Sequence, residues 1–450
     1  MKQASLFITF IAALWPSLGL FITEKVNGMN NGEAQRTYLH KTMLREVYSS
    51  DQKWEGTSAN TVYVAADVVA LDSPLPVKAR PSVGTSSGKL PKIGMKKALS
   101  ETDITAIDTM KAQLLLLENQ PNASQAAIAT QKSRILRKLT DDALYCSVGI
   151  DEKLEGAFLE GISNGVALVE DENNTGTAIR ADYGYLKDNI FDTTIKGEID
   201  EADIRKVIDA ADAKGYAFQY IMIATQTYNK MRQSQWAKEL AANYKGQIFD
   251  EDTKLAVPSS KLFDEAFADS FNNIKFIKVD RTIIYEKNGK KNPVKPFNAD
   301  HLIFLTTQEV GALVYGTLAE ENHRVNGVEY ATVDTYKLIS KFSINEPLQE
   351  WTTGQAICLP VIEDVDAIFM LRLEGGEEVD PEAEAEDEDD VKFTYKGYTY
   401  TKALFCSILN SINGGRTPAT AKDETIMAKV NDLNAEQKEQ LDAALENARN

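Results

Sequence analysis

The stretch VYVAADVVALDSPLPVKARPSVGTSSGKLPKIG, residues 62–94, decides how the rest of the chain is read. Residues 62–71 are apolar and β-branched and read as a strand. Residues 72–94 are rich in Pro, Gly and Ser, with basic residues at Lys78, Arg80, Lys89, Lys92 and, just beyond, Lys96, and almost no acid. An extended basic segment of this kind has too little apolar surface to bury itself against its own body. The segment raises the question of what it reaches for.

Working outward, a helix begins directly after this arm. In LSETDITAIDTMKAQLLLLENQP, residues 99–121, Ser100 and Asp103 form a start signal, and Ile104, Ile107, Met110, Leu114 and Leu117 recur at helical spacing until Pro121. A second helical run covers 123–144, and DEKLEGAFLEGISNG (151–165) reads as a third helix. VALVEDENNTGTAIRADYG (166–184) reads as two strands turned at 174–176. EIDEADIRKVIDAADAKG (198–215) is an amphipathic helix with acids in its first turn and Gly215 at its end. Asn288-Gly289 predicts a tight hairpin. Residues 336–373 are strand-rich, and AQRTYLHKTMLREVY (34–48) carries a short helical pattern upstream of the arm. The elements mix without strict alternation, which predicts an α+β class.

With 450 residues, 43% of them hydrophobic and 26% charged, the chain can bury one large core or two ordinary ones. The net charge is −18, but residues 374–390, EGGEEVDPEAEAEDEDD, hold eleven acids and no base, so only seven excess negative charges remain for everything else. That run reads as a solvated linker, because like charges at this density repel and do not pack. The remaining body has no basic surplus of the kind that marks a nucleic-acid binder. Beyond the linker, residues 391–450 read as a separate small module, a hairpin at VKFTYKGYTYT followed by helices. Cys146, Cys358 and Cys406 are too few and too far apart for a disulfide framework or a zinc site, and read as buried thiols.

Catalytic and ligand motifs are each outweighed by a structural reading. GISNG (161–165) matches the nucleophile-elbow pattern around Ser163, yet the order is helix then strand, the reverse of what that motif requires. The chain has three histidines, His40, His301 and His323, to serve as bases. Asp171, Asn173, Thr175, Gly176 and Asp182 fall at calcium-loop offsets, but strands flank them and the twelfth position is Asp rather than Glu. Glu363, Asp364 and Asp366 read as a solvated turn. Phosphate-binding loops and H-E-x-x-H are absent. Asn122 and Asn173 are glycosylation sequons that count only for a secreted chain. The N-terminus, MKQASLFITFIAALWPSLGLFIT, reads either as an apolar arm that docks on another subunit or as a secretory signal or anchor.

Taken in order, the phrases VAADVVALDSPLPVKARP (64–81), GVALVEDENNTGTAIRADYGY (165–185) and INEPLQEWTTGQAICLPVIEDVDAIFML (344–371) make residues 35–373 resemble the major capsid proteins of tailed bacteriophages, of the Hong Kong 97-type fold and nearest its capsid protein E branch. The resemblance implies an N-terminal arm (1–54), an extended E-loop hairpin (55–98), and a spine helix with the first part of a P domain (99–198). It further implies an A domain (199–335) and return strands of the P domain (336–373), leaving 374–390 as linker and 391–450 as an appended C-terminal α+β module. In such proteins the E-loop lies across a neighbouring subunit, which implies inter-subunit contacts at Leu71, Pro74, Pro76, Lys78, Arg80, Lys89 and Lys92. The resemblance implies a structural, non-enzymatic shell subunit, assembled in the bacterial cytoplasm into pentamers and hexamers of a capsid around double-stranded DNA. Its partners would be copies of itself, with scaffold, portal and decoration proteins as candidates. It implies no cofactor, metal, small-molecule substrate or sequence-specific nucleic-acid contact. The literal reading of residues 1–23 leaves an alternative, an exported surface or periplasmic binding protein. The N-terminal hydrophobic run and the appended module are departures from the family pattern.

Overall fold

The computed structural model describes residues 3–11, 38–58, 84–122, 124–169, 179–247, 254–287, 289–373, 392–396, 398–413, 426–427, 429–430, 433 and 435–447. The chain forms two compact units, Met1–Val379 and Asp380–Asn450. Both mix helices and strands, so the α+β class holds for each.

Two sheets organise the larger unit. The first runs β1 (Leu44–Tyr48), β13 (Gly311–Gly316), β16 (Leu348–Ile362), β15 (Lys337–Asn345), β14 (Glu329–Val333), with β4 (Lys92–Leu99) also paired to β16. β1 runs parallel to β13, and the other pairs are antiparallel. The 15-residue β16 is long enough to take β4 along residues 350–357 and β13 along 357–362. The second sheet runs β7 (Ile190–Asp192), β17 (Ile368–Arg372), β12 (His301–Leu305), β8 (Tyr220–Ala224), β9 (Lys275–Val279). Strand membership cuts across the segments expected from the sequence. Residues 311–333, expected to belong with 199–305, pair in the first sheet, and 368–372, expected to belong with 336–362, pair in the second.

Local signals explain most elements. Ser100 caps helix α3 (Glu101–Glu118): its hydroxyl accepts from the Asp103 amide, and the Asp103 carboxylate accepts from the Ser100 amide at 3.2 Å. Asp200 and Asp203 repeat the arrangement at helix α5 (Glu201–Ala213). The runs expected at 123–144 and 151–165 are one 40-residue helix, α4 (Gln125–Asn164). Glycine lowers helix propensity, but Gly149 sits where a Cβ would collide with the Met95 sulfur of β4, and Gly156 where it would collide with the Tyr285 hydroxyl. Tertiary contact therefore holds the helix through positions that weaken it locally. Residues 34–48 differ as well. Among those described, only Leu39–Met43 is helical (α2), and the following Leu44–Tyr48 is β1, drawn into the sheet by its partner β13.

β5 (Val166–Val169) and β6 (Ile179–Asp182) form the expected hairpin, although its turn at 174–176 lies outside the described residues. β10 (Ile283–Lys287) and β11 (Lys290–Val294) pair as the Asn-Gly signal predicts. Helices α5, α6 (Thr225–Gln233), α7 (Gln235–Tyr244) and α8 (Ser260–Ser270) accompany the second sheet, with Ile204, Val207, Phe263 and Phe267 buried against Ile221, Phe304 and Phe369.

The smaller unit has a hairpin of β18 (Lys392–Tyr395) and β19 (Tyr398–Thr401), then α9 (Lys402–Asn413) and α10 (Ala435–Asn447). Its own core holds Tyr395, Tyr400, Phe405, Cys406, Leu409, Leu441 and Leu445. The acidic run 374–390 lies outside the described residues.

Candidate assembly surface

The basic arm leaves the body as a two-stranded ribbon, β2 (Lys53–Ser58) against β3 (Gly84–Lys89), in register from Lys53↔Lys89 to Ser58↔Gly84. Trp54 roots it. Its side chain is 4% exposed, its ring lies 6.1 Å from the Tyr183 ring, and it occupies the space a Cβ at Gly88 would need. The Leu90 amide donates to the Gln52 carbonyl at 2.8 Å and closes the base. After Leu90 the chain passes straight into β4, so the returning limb of the arm becomes part of the first sheet. Lys89 is exposed and stands opposite exposed Lys53, and Lys92 is exposed at the start of β4. Lys96 lies over the Trp351 ring at 4.7 Å, and Lys97 sits 3.7 Å from the Tyr145 ring and 3.8 Å from Asp142. Lys53, Lys89, Lys92 and Lys96 are thus exposed on the ribbon root and this strand, whereas Lys97 faces helix α4. Leu71, Pro74, Pro76, Lys78 and Arg80 lie outside the described residues.

Helix α4 supports this surface from behind. It crosses the face of the first sheet formed by odd residues of β15 and even residues of β16. The Lys341 ammonium donates to the Leu139 carbonyl at 3.1 Å, and Cys146 Sγ approaches the Thr352 carbonyl at 3.8 Å. Burial pushes the Cys146 thiol up to about 11 and Cys358 up to about 12, so both stay protonated and inert.

Sequence reading missed a buried ionic cluster where α4, α2 and the β14–β15 turn meet. The Leu39 and His40 amides donate to the Glu155 carboxylate at 2.9 and 3.0 Å, and His40 Nδ1 lies 2.6 Å from it. Lys337, fully buried, reaches Asp151 at 2.6 Å and Asp334 at 2.8 Å, and Lys41 reaches the same two carboxylates. Tyr38 donates to Glu152 at 3.0 Å, and Arg281 pairs with Glu152. Burial by itself would raise the Asp334 carboxyl, but Lys337 and Lys41 beside it hold it down at about 2. The advance signal was two lysines, Lys337 and Lys341, in the strand-like run KLISKFSI.

The candidate catalytic groups come together without catalytic geometry. Ser163 sits in the last turn of α4, fully buried; its hydroxyl donates to the Glu160 carbonyl at 3.2 Å and accepts from the Asn298 amide at 3.1 Å. His301 Nδ1 lies 2.6 Å from the Ser163 carbonyl rather than its hydroxyl. Desolvation lowers the pKa of His301. Both residues are buried and join the end of α4 to β12. Glu363 and Glu309 are paired with Arg45 and line, with Asp364, Thr307 and Ala367, a shallow cavity of about 160 Å³. Among the described residues, no cluster of three or more His, Cys, Asp or Glu is placed to hold a metal ion, and no helix is long and apolar enough to cross a membrane.

No protein-family model matches the chain, and no curated protein matches it. Solved structures do resemble it. A protein described as a prophage capsid protein of E. coli CFT073 aligns at 13% identity over 79% of this chain and 98% of its own, with a TM-score of 0.47. The capsid asymmetric unit of cyanophage A-1(L) aligns at 12% identity over 76% and 94%, TM-score 0.41. The mature capsid of bacteriophage PhiM1 aligns at 9% identity over 77% and 89%, TM-score 0.38. These neighbours are phage capsid proteins.

Proposed function

We propose that the chain is the shell-forming subunit of a tailed-phage or prophage head, with a Hong Kong 97-type fold, that closes with copies of itself into pentamers and hexamers around double-stranded DNA. The observation that carries this reading is the ribbon β2–β3. It is anchored by Trp54, carries basic residues, and leads into residues 59–83 from a body whose sheets are already paired. A two-stranded ribbon gains stability only by lying on another surface, and a chain with excess negative charge offers a complementary one on its next copy. Repeated head-to-tail contacts of this kind close into rings and shells when their rotation closes. Lys89 and Lys92 would form the near end of the contact; Leu71, Pro74, Pro76, Lys78 and Arg80 would form its far end. Helix α4 would be the spine, the first sheet the peripheral body, and the second sheet with α5–α8 the part gathered at the symmetry axes. The appended unit would be an exposed decoration, and assembly would take place in the host cytoplasm with scaffold, portal and decoration proteins as candidate partners.

Replacing residues 59–83 by Asn-Gly joins Ser58 to Gly84 through a tight turn and leaves the ribbon root intact. The variant is expected to fold with unchanged thermal stability and to form no shells in electron micrographs. Normal shells from this variant would sink the reading.

A further inference from the structure

Residues 3–11 are expected from sequence to leave the body as an arm or a leader, yet they are built into the larger unit. β14 accompanies β15 only as far as Glu329↔Lys341. Beyond that point the open edge of β15 is taken by Gln3, whose amide and carbonyl both pair with Ser343 at 2.9 Å, while Ser343 Oγ donates to the Ala4 carbonyl at 2.6 Å. Next comes a polar anchor. Glu350 is fully buried, and its carboxylate accepts from the Ser5 hydroxyl and, at 3.1 Å, from the Leu6 amide. Then come apolar anchors. Phe7 and Ile11 are 1% and 0% exposed, packed among Ile104, Ile107, Leu114 and Ile339, and Lys111 lies 5.0 Å from the Phe7 ring and 5.5 Å from Phe10.

Strand addition at an open edge followed by side chains in pockets is a recognised mode of peptide capture. Here the receptor is specific: a buried carboxylate without donors costs free energy, and Ser5 and Leu6 supply them. We infer that the groove between α3, α4 and β15–β16 is a peptide-docking site for an apolar segment of the pattern Ser-Leu-Phe-x-x-Phe-Ile, and that its resident ligand is residues 3–11 of the same chain. The tether through residues 12–37 favours this cis arrangement, because an intramolecular partner acts at an effective concentration in the millimolar range. Gln3 to Ile11 then lock the return strands to α3, and the apolar N-terminus works within the protomer rather than between protomers.

A disulfide tests this on the full chain. Gln3 and Ser343 form a hydrogen-bonded antiparallel pair, whose Cα separation of about 5.5 Å suits a bridge. Under oxidation, Gln3→Cys/Ser343→Cys is expected to give an intrachain bond that runs as one chain on a non-reducing denaturing gel. Interchain ladders, or no bond, would overturn the proposal. Should the cysteine pair disturb folding, Glu350→Gln provides a second readout. Chymotrypsin is expected to cut at Phe7 and Phe10 about ten-fold faster in that variant than in the unchanged chain, the equivalent of one charged hydrogen bond. Equal rates would refute the proposal. The result is separable from the shell reading, since an intrachain bond in a chain that never forms shells would leave this inference standing and remove the other.

Discussion

The second sheet is held by rings. Phe218 lies 5.3 Å from Phe304 and 5.2 Å from Phe369, and Phe267 lies 4.5 Å from Phe276, all between segments of one region, residues 190–305, and the returning β17. The first sheet is held differently on its helix face, where Lys337, Lys341, Glu350 and Thr352 are each no more than 1% exposed. Its ionic cluster joins segments remote in sequence: residues 38–41, 151–155 and 334–337. Aromatic packing is forgiving of exact partner, whereas a buried charge is costly unless one particular partner stands in one place. The long-range assembly of the first sheet is therefore specified by charge matching, and that of the second by volume.

The largest test of that difference is Lys337→Ala. It removes the nearer of the two ammonium partners of buried Asp151, leaving Lys41 at 3.2 Å, and is expected to cost about 3 kcal/mol in urea unfolding, while Lys337→Met with Asp151→Leu recovers most of the loss. A single-variant loss below about 1 kcal/mol would break the comparison. Phe304→Ala is expected to cost about 3–4 kcal/mol by transfer and cavity formation, with no rescue by any charge partner. Acid separates the sheets next. Asp334 titrates near 2 folded, below its ordinary 3.8, so its contribution is present above about pH 4 and is lost as pH falls through 2. About 2 kcal/mol is expected to disappear over that window and to be missing from Asp334→Asn at every pH, as read by stability measured against pH. The smallest effect is local: Ser100→Ala removes the cap of α3 and is expected to cost about 1 kcal/mol, measured by thermal unfolding.

What could be read from sequence was what neighbours along the chain decide. Ser100 with Asp103 marked a true helix start, the first-turn acids of 198–215 another, and Asn288-Gly289 a true hairpin, because capping and turn chemistry involve only residues close in sequence. What distant partners decide could not be read. Helix α4 continues through Gly149 because Met95 occupies its flank; LREVY is a strand because β13 lies beside it; Lys337 is core because Asp151 awaits it. Of the candidate contact residues, Lys89 and Lys92 are exposed on the ribbon root and on β4, and the other five lie outside the described residues. Residues 3–11 show the same limit, since an apolar run reads alike whether its groove belongs to its own chain or to another.

The central claim is that copies of this chain build a shell. The most direct measurement is the mass of the purified full chain by light scattering on a sizing column, with electron micrographs of the peak. The account predicts closed shells, or rings of five and six copies; a species that keeps the mass of one chain at every concentration would contradict it.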